Sequence, residues 1–422
     1  SRQIAAALSA DGWREVAFND KADCYIVNTC TVTHLADRKS RAMLRRAVRA
    51  NPAAYIVAAG CFSQVSPQEA AKIEGIDLII GVEERHLLPR LLAEKAQGVR
   101  VGDIARAAEF TSIYGVHQGT ERARAFLKIE DGCNEACAYC KIPQARGPVR
   151  SWPIAEVLQA ARELIAAGHA EIVLTGIHLG AYGEDLPRGE DLEHLLPRLL
   201  ALPALGRLRL GSLEPQHLQG DLLNLLKELL HNEKFCPHLH IPLQSGCDKT
   251  LRAMGRHYLT ADYRNLAAAL RAVCPDLALT TDIMVGFPGE SEEDFTASAA
   301  FFNEMKFASA HIFAYSKRAG TAAAAMNGQL TPQVKEVRYQ LLQNIAHKNA
   351  AAYAQSFLGK TLQMAVEQEL TIGGKKYLSG HAQNYLPLLL PPPQAKEDRG
   401  LLTVVTEKIL NEQIVCKSAG DS

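Results

Sequence analysis

Three cysteines, Cys133, Cys137 and Cys140, fall within eight residues of the stretch IEDGCNEACAYCKIPQARGPVRS, Ile129 to Ser151. Thiolates at Cys-x3-Cys-x2-Cys spacing in a short loop can wrap a single inorganic centre. Structural zinc asks for four ligands, usually as two closely spaced pairs, yet no fourth cysteine or histidine stands at such spacing and the next cysteine is Cys236. An iron–sulfur cubane held by three thiolates instead leaves one iron open to an exogenous ligand. Two more cysteines, Cys30 in NTCTVTHLADRKSR and Cys61 in AAGCFSQ, each follow an apolar run that reads as a strand. They therefore sit on the rim where α/β sheets bind ligands, although an isolated cysteine is ordinarily an inert small hydrophobe. Cys236, Cys247, Cys274 and Cys416 show no ligand spacing and read as structural.

The elements that must position these residues follow from periodicity. CYIVNT, AAYIVAAGC and GIDLIIGV are short apolar runs alternating with helical stretches, the first of them TVTHLADRKSRAMLRRAVRA, which predicts a small parallel α/β domain over 1–113. Downstream, AEIVLTG, RLRLGSL, LHIPLQS, ALTTDIMVGF and SAHIFAYS alternate with helical stretches such as IAEVLQAARELIAAG and DYRNLAAALRAVC. Repeated βα units predict a full or partial barrel over 119–350, with function at the C-terminal ends of its strands. After a long helical stretch the pattern changes to short alternating runs with Gly-Gly and Pro-Pro-Pro breaks, which predicts a small antiparallel β-barrel over 358–422.

Composition narrows the function classes. The 422 residues exceed one ordinary domain, and 47% hydrophobic with 22% charged residues suits a protein with a proper core. The 46 basic and 46 acidic residues cancel, so any polyanion site must be a local patch. No run is long enough to span a bilayer and the opening SRQIAAALSADGW has no signal-peptide core, so a cytoplasmic location without membrane attachment is expected. Ten unevenly spread cysteines do not make a disulfide scaffold, and a reducing cytosol would disfavour one.

The spacing of Cys133, Cys137 and Cys140, with Tyr139 just before the last of them, resembles the CxxxCxxC signature of the radical S-adenosylmethionine superfamily. The resemblance implies a partial (βα)6 barrel and a 4Fe–4S cluster whose open iron is chelated by S-adenosylmethionine. Electron transfer from the cluster would cleave the sulfonium and give a 5′-deoxyadenosyl radical. Residues expected around that cofactor are Tyr139, Gly176 in LTGIHLGAYG, Ser212 and Glu214 in GSLEP, Gln244 in IPLQSG and Gly286 in DIMVGFPGES, most of them just past a strand. NTCTVT and AAGCFSQ resemble the N-terminal domain of the methylthiotransferases, so Cys30 and Cys61 are expected to hold a second, auxiliary 4Fe–4S cluster. The family's first auxiliary cysteine lies in an LGC turn upstream of the first helix, and no residue here matches it. Cys24 is no substitute, because six strand steps put it about 20 Å from Cys30. Either the chain is an N-terminally truncated copy, as its lack of an initial methionine suggests, or its auxiliary cluster is incomplete.

Three branches of that family act on isopentenylated adenosine in tRNA, on threonylcarbamoylated adenosine in tRNA, and on an aspartate of a ribosomal protein. NTCTVT and IPQARGPVRS resemble the threonylcarbamoyladenosine branch. The resemblance implies methylthiolation at C2 of the modified adenosine 3′ of the anticodon, position 37. One S-adenosylmethionine would methylate sulfur at the auxiliary cluster, a second would supply the radical, and a flavodoxin or ferredoxin would supply electrons. Catalytic residues beyond the cluster ligands are not expected.

Charge suggests where RNA would lie. Arg38, Arg41, Arg45 and Arg49 recur at steps of three and four along one helix, and Arg146 and Arg150 flank the cysteine loop. In the terminal, TRAM-like barrel, Lys375, Lys376, Tyr377, His381, Asn384 and Tyr385 combine charge with aromatic faces suited to unpaired nucleotides. Two rival classes remain in view. A radical enzyme acting on protein or a small molecule would need neither tRNA affinity nor Cys30 and Cys61. An RNA-binding protein with a structural metal would need four ligands and would not cleave S-adenosylmethionine.

Overall fold

The computed structural model describes residues 2–111, 123–392 and 400–419. The expected boundary between 113 and 119 lies outside them. The chain forms two compact units. One comprises 1–118, 130–151 and 316–325, and the other comprises 119–129, 152–315 and 326–422.

In the first unit, strands β1 (Cys24–Thr29), β2 (Tyr55–Gly60), β3 (Leu78–Ile80) and β4 (Gly98–Arg100) form one parallel sheet in sequence order. Alternation along β2 sends Ile56 and Ala58 to a cluster with Leu44 and Phe62, and Val57 and Ala59 to another with Ile4, Leu8, Leu88 and Leu91. Both faces are therefore covered, which is why these strands read as continuous apolar runs. Helix His34–Ala50 is capped by Thr33, whose hydroxyl accepts the Ala36 N–H at 3.1 Å. It buries Asp37, Ser40, Leu44 and Ala47 at steps of three and four. A short antiparallel pair, β6 (Glu130–Asp131) with β7 (Arg150–Ser151), closes the base of the cysteine loop.

In the second unit, β5 (Arg124–Lys128), β8 (Glu171–Thr175) and β9 (Arg207–Leu210) form one parallel sheet. Strands β10 (His238–His240), β11 (Ala278–Val285) and β12 (Ser309–Ala314) form another. Isolated parallel bridges Leu208–Phe235 and Ser212–His240 join the two at β9 and β10. The result is a six-strand array with helices such as Ile154–Ala166 and Thr260–Val273 between strands. The remaining strands are β13 (Thr361–Ile372), β14 (Lys375–Ala382), β15 (Pro387–Leu390), β16 (Leu401–Leu410) and β17 (Gln413–Ser418). They close in the order β13-β14-β15-β17-β16 around Met364, Leu388, Val404 and Ile414. The β15–β17 pair is parallel where an all-antiparallel barrel was expected, because β16 lies between the two in sequence. Gly373 and Gly374, at φ 56° and 78°, make the tight β13–β14 hairpin that the Gly-Gly signal predicts.

A buried ion cluster ties this terminal barrel to the six-strand array. Arg207 Nε and Arg209 Nε donate to Glu171 at 2.5 and 2.7 Å, and all three side chains are at most 2% exposed. Their other nitrogens donate to the carbonyls of Gln363, His381, Ala382 and Gln383.

Candidate cluster and cofactor site

Parallel register brings the two N-terminal cysteines together. Thr29 pairs with Gly60 at the ends of β1 and β2, so Cys30 and Cys61 leave adjacent strands at the same level. Neighbouring strands lie about 4.8 Å apart, a spacing that two thiolates of one cubane can span. Gly60 cannot carry a side chain: at φ 97° its Cβ would lie 2.6 Å from Asn28 Oδ1 and 2.8 Å from the Thr29 carbonyl. The chain can thus turn sharply into Cys61, which opens a short helix, Cys61–Val65. Cys30 is exposed and Cys61 half-buried. Cys24, at the opposite end of β1, pairs in register with Tyr55, and burial together with Asp77 and Asp23 pushes its thiol up to about 12.

The second cysteine set is built with equal constraint. Gly132, at φ 92°, precedes Cys133, and a Cβ there would fall 1.8 Å from the Pro148 carbonyl. The N–H groups of Glu135 and Ile142 point at the sulfurs of Cys133 and Cys140, at 3.5 and 3.3 Å. Burial pushes the Cys133 thiol up to about 12, partly offset by that Glu135 N–H and reinforced by Cys140 and Cys137. A buried thiol of this kind ionises only against a strong cation, and N–H donors at sulfur favour thiolates once it does. The donor set therefore fits a thiolate-bound iron–sulfur group better than a free reactive cysteine.

Sequence reasoning missed what joins the two sets. The short helix Ile142–Arg146 packs against the helix that begins at Cys61. Asp131 forms ion pairs with three guanidinia, whose nitrogens lie 2.8 Å (Arg146), 3.9 Å (Arg150) and 4.0 Å (Arg85) from its carboxylate. Burial raises the Cys61 thiol, while Arg146 and Arg85 pull it back down. A further strap, 316–325, crosses both loops. Arg318 Nη2 donates to Thr31, next to Cys30, and to Asp37, each at 2.7 Å. Lys141 and Gln144 donate to the carbonyls of Ala319 and Gly320, both at 2.7 Å, and the Ala323 N–H donates to Ala138. Arg318 offered no sequence signal, since its stretch, SKRAGTAAAA, reads as a small-residue loop.

Most residues expected around a methionine-derived cofactor lie in the second unit, while Tyr139 stays half-buried in the cysteine loop of the first. Gly176 follows β8, Ser212 and Glu214 follow β9, Gln244 follows β10 and Gly286 follows β11, so four successive strands end in them. Gln244 adopts φ 60°, unusual for a side-chain-bearing residue, and its Oε1 is buried without a hydrogen-bond partner among the described residues. That orphaned acceptor suits the ammonium group of a bound amino acid. Glu214 forms an ion pair with Arg256. The Gly286 N–H donates to Glu290 at 2.8 Å, and Arg338, itself buried, holds Glu290.

Residues 127–302 match the Radical SAM superfamily and residues 1–81 match the uncharacterized protein family UPF0004. The chain is 37% identical over 384 residues to threonylcarbamoyladenosine tRNA methylthiotransferase MtaB of Bacillus subtilis, covering 90% of this chain and 84% of that protein. The chain belongs to the radical S-adenosylmethionine methylthiotransferase family. It is also 35% identical to a tRNA-2-methylthio-N(6)-dimethylallyladenosine synthase of Caldicellulosiruptor saccharolyticus, over 87% of this chain and 79% of that one. Among solved structures, the radical S-adenosylmethionine methyltransferase TsrM of Kitasatospora setae superposes with TM-score 0.54 at 16% identity, covering 74% of this chain and 71% of that one, a likeness of fold.

For a methylthiotransferase the basic residues sort differently from their sequence expectation. Arg38, Arg45 and Arg49 are exposed on helix 34–50, whereas Arg41 is half-buried with its guanidinium 5.6 Å from the Phe62 ring centre. Arg150 is 1% exposed and donates to Glu83 and to the carbonyls of Arg146 and Pro148, so it braces the loop and does not present itself to phosphate. Arg146, 11% exposed, is likewise committed to Asp131. Lys375 and Lys376 are exposed, but Tyr377 packs against Leu389 and Val415 and offers no stacking face. Tyr385 is exposed, at φ 67°, but its ring is already stacked on His238 and His381. No helix among the described residues is long and apolar enough to cross a membrane.

Proposed function

We propose that this enzyme attaches a methylthio group to C2 of N6-threonylcarbamoyladenosine at position 37 of tRNA. The observation that carries the reading is the union of Cys30, Cys61, Cys133, Cys137 and Cys140 in one braced unit, with the fit of two thiolate-bound groups to one chain. Similarity to the MtaB proteins of Bacillus subtilis and Aquifex aeolicus, at 37% and 35% identity, supports the substrate. Cys133, Cys137 and Cys140 would hold the radical cluster, and Cys30 and Cys61 the auxiliary one. When bound, these groups supply the electron that cleaves S-adenosylmethionine and the sulfur that is transferred.

The chain's own residues bind and orient. Gln244, Ser212 and Glu214 offer polar groups for the amino acid end of S-adenosylmethionine, while Gly176 and the Gly286 turn admit close backbone approach. Asp131 and its three arginines fix the loop of Cys133 relative to Cys61, and Arg318 fixes the residue after Cys30. Lys375, Lys376, Arg38 and Arg45 form the basic surfaces offered to tRNA phosphate. The six-strand array corresponds to a partial (βα)6 barrel and the terminal barrel to a TRAM-like module, within a division at 1–113, 119–350 and 358–422. A cytoplasmic location and a flavodoxin or ferredoxin donor complete the reading.

The test is anaerobic reconstitution with iron and sulfide counts on wild type, Cys133→Ala and Cys30→Ala, paired with mass spectrometry of nucleosides from incubated tRNA. About eight irons per chain in wild type, about half lost in each variant, with a methylthio product only in wild type, is the expected result. About four irons lost only with Cys133 would refute the auxiliary site, and an unaltered threonylcarbamoyl nucleoside would refute the substrate.

A further inference from the structure

Inside the six-strand array of the second unit is a cavity of about 250 Å³ to which every one of the six strands contributes. Ser212, at the C-terminal end of β9, marks its upper part. Tyr385 closes the other end, stacked 4.6 Å from His238 and 5.6 Å from the Arg124 guanidinium, the first residues of β10 and β5. Two of its lining residues, His240 and His311, flank a carboxylate on the strand between them. Asp282 of β11 accepts from His311 Nδ1 of β12 at 3.1 Å and lies 3.4 Å from His240 Nε2 of β10. His240 is fully used, because its Nδ1 meets Thr280 Oγ1 at 3.0 Å. His311 is not: its side chain is 81% exposed, and Nε2 bonds no described residue. The pairing makes Asp282 the anchor and favours the charged form of His311, whose Nε2–H then has no partner among the described residues.

We infer that His240, Asp282 and His311 form the subsite that reads a carboxylate-bearing polar substituent on N6 of the target adenosine, with His311 donating to the carboxylate. This rests on the functional reading above. With C2 directed toward the strand ends where Ser212 and Gln244 lie, the N6 substituent extends down the cavity toward these residues. A threonylcarbamoyl group carries a carboxylate, a hydroxyl and amide N–H groups that such a site can pair. An isopentenyl group carries none of them and would cover the outer nitrogen of His311 without bonding it, the arrangement by which enzymes reject analogues lacking a polar group. Apolar neighbours alone could not make that distinction.

The experiment titrates the reconstituted enzyme, without reductant, with one tRNA in three forms: carrying threonylcarbamoyladenosine, isopentenyladenosine, or unmodified adenosine at position 37. Wild type is expected to bind the threonylcarbamoyl form about 10- to 100-fold more tightly than the other two, the range of one hydrogen bond to a charged group. His311→Leu, a substitution at an exposed side chain, should bring the three within about twofold. His311→Gln, which keeps a donor, should recover part of the preference, and Asp282→Asn should lose most of it. Retention of the wild-type preference in both His311→Leu and Asp282→Asn would overturn the subsite while leaving the functional reading intact. Wild type binding all three forms alike, or preferring the isopentenyl form, would overturn the functional reading and the subsite with it.

Discussion

Replacing Asp131 by asparagine removes the carboxylate that three guanidinia share. Arg146, Arg150 and Arg85 lie 2.8, 3.9 and 4.0 Å from its oxygens, and none of the four side chains is more than 13% exposed. At an effective dielectric of about 20, each attraction at these distances amounts to roughly 4 to 6 kcal/mol before solvation is counted. Much of that is offset by the cost of burying the charges, so the net loss expected is about 3–5 kcal/mol, the range for removing one partner of a buried pair. For a unit of this size the midpoint of thermal unfolding should fall by roughly 6 to 20 °C. Anaerobic calorimetry of Asp131→Asn measures this directly. Hydrogen exchange over 130–151 should accelerate at the same time. Asp131 also holds the Cys61 thiol up, so without it the apoprotein should alkylate faster at Cys61. The double variant Asp131→Asn/Arg146→Met should cost less than the sum of the two single changes, because one unpaired guanidinium is removed with its partner. A midpoint within about 1 °C of wild type, or strict additivity, would show that the cluster of charges does not brace the loop.

Glu171→Gln strands Arg207 and Arg209 in the interior and should cost a similar 3–5 kcal/mol, read from urea unfolding. Burial favours the protonated acid, but Arg209 and Arg207 outweigh it and hold the Glu171 carboxyl down at about 2. Because the folded value lies below the unfolded one, this stabilisation is present above about pH 4.5 and should fade as pH drops toward 2, and the variant should lack that slope. Arg318→Ala should speed hydrogen exchange over 30–37 and 138–144 together, since one strap touches both; acceleration of only one would separate the two loops. Cys24→Ser should keep the full iron content, because Cys24 lies at the far end of β1, whereas Cys30→Ala should not.

The parts of the fold legible in the sequence are those where one local rule decides. The strand-end cysteines were readable because parallel sheets present their C-terminal ends together, and the hairpin at Gly373–Gly374 because only glycine accepts two successive left-handed residues cheaply. Strand β5 escaped notice: RAFLK carries an arginine and a lysine, and Arg124 is buried only because Glu367 reaches it from the terminal barrel at 3.0 Å. The bracing charges were illegible for the same reason. Asp131 looks like a loop carboxylate, and Arg146 and Arg150 look like phosphate contacts, until the ladder of β6 and β7 sets them beside Arg85, about 50 residues upstream. Tyr377 and Tyr385 show the reverse error. Both are tyrosines in one polar run, and only the pleat of β14 and the turn after it decide that the first is core and the second a ring stacked on His238 and His381.

The buried ion cluster also bears on how the terminal barrel can serve RNA. Arg207 and Arg209 donate to carbonyls of β13, β14 and the 382–383 turn, and Arg124 adds an ion pair to Glu367, so the contact is fixed by directional bonds at several points. A domain on a flexible tether would raise the local concentration of bound tRNA near the array without setting its angle. Here the hairpin that carries Lys375 and Lys376 is continuous with β13 and β14, the strands that receive these bonds. Phosphate held by the two lysines would therefore sit at a set position relative to the cavity lined by Tyr385. Weakening the ion cluster by Glu171→Gln should thus impair positioning more than attraction: turnover on tRNA should drop further than tRNA affinity does. Equal loss of both would mean that the barrel acts only as an anchor.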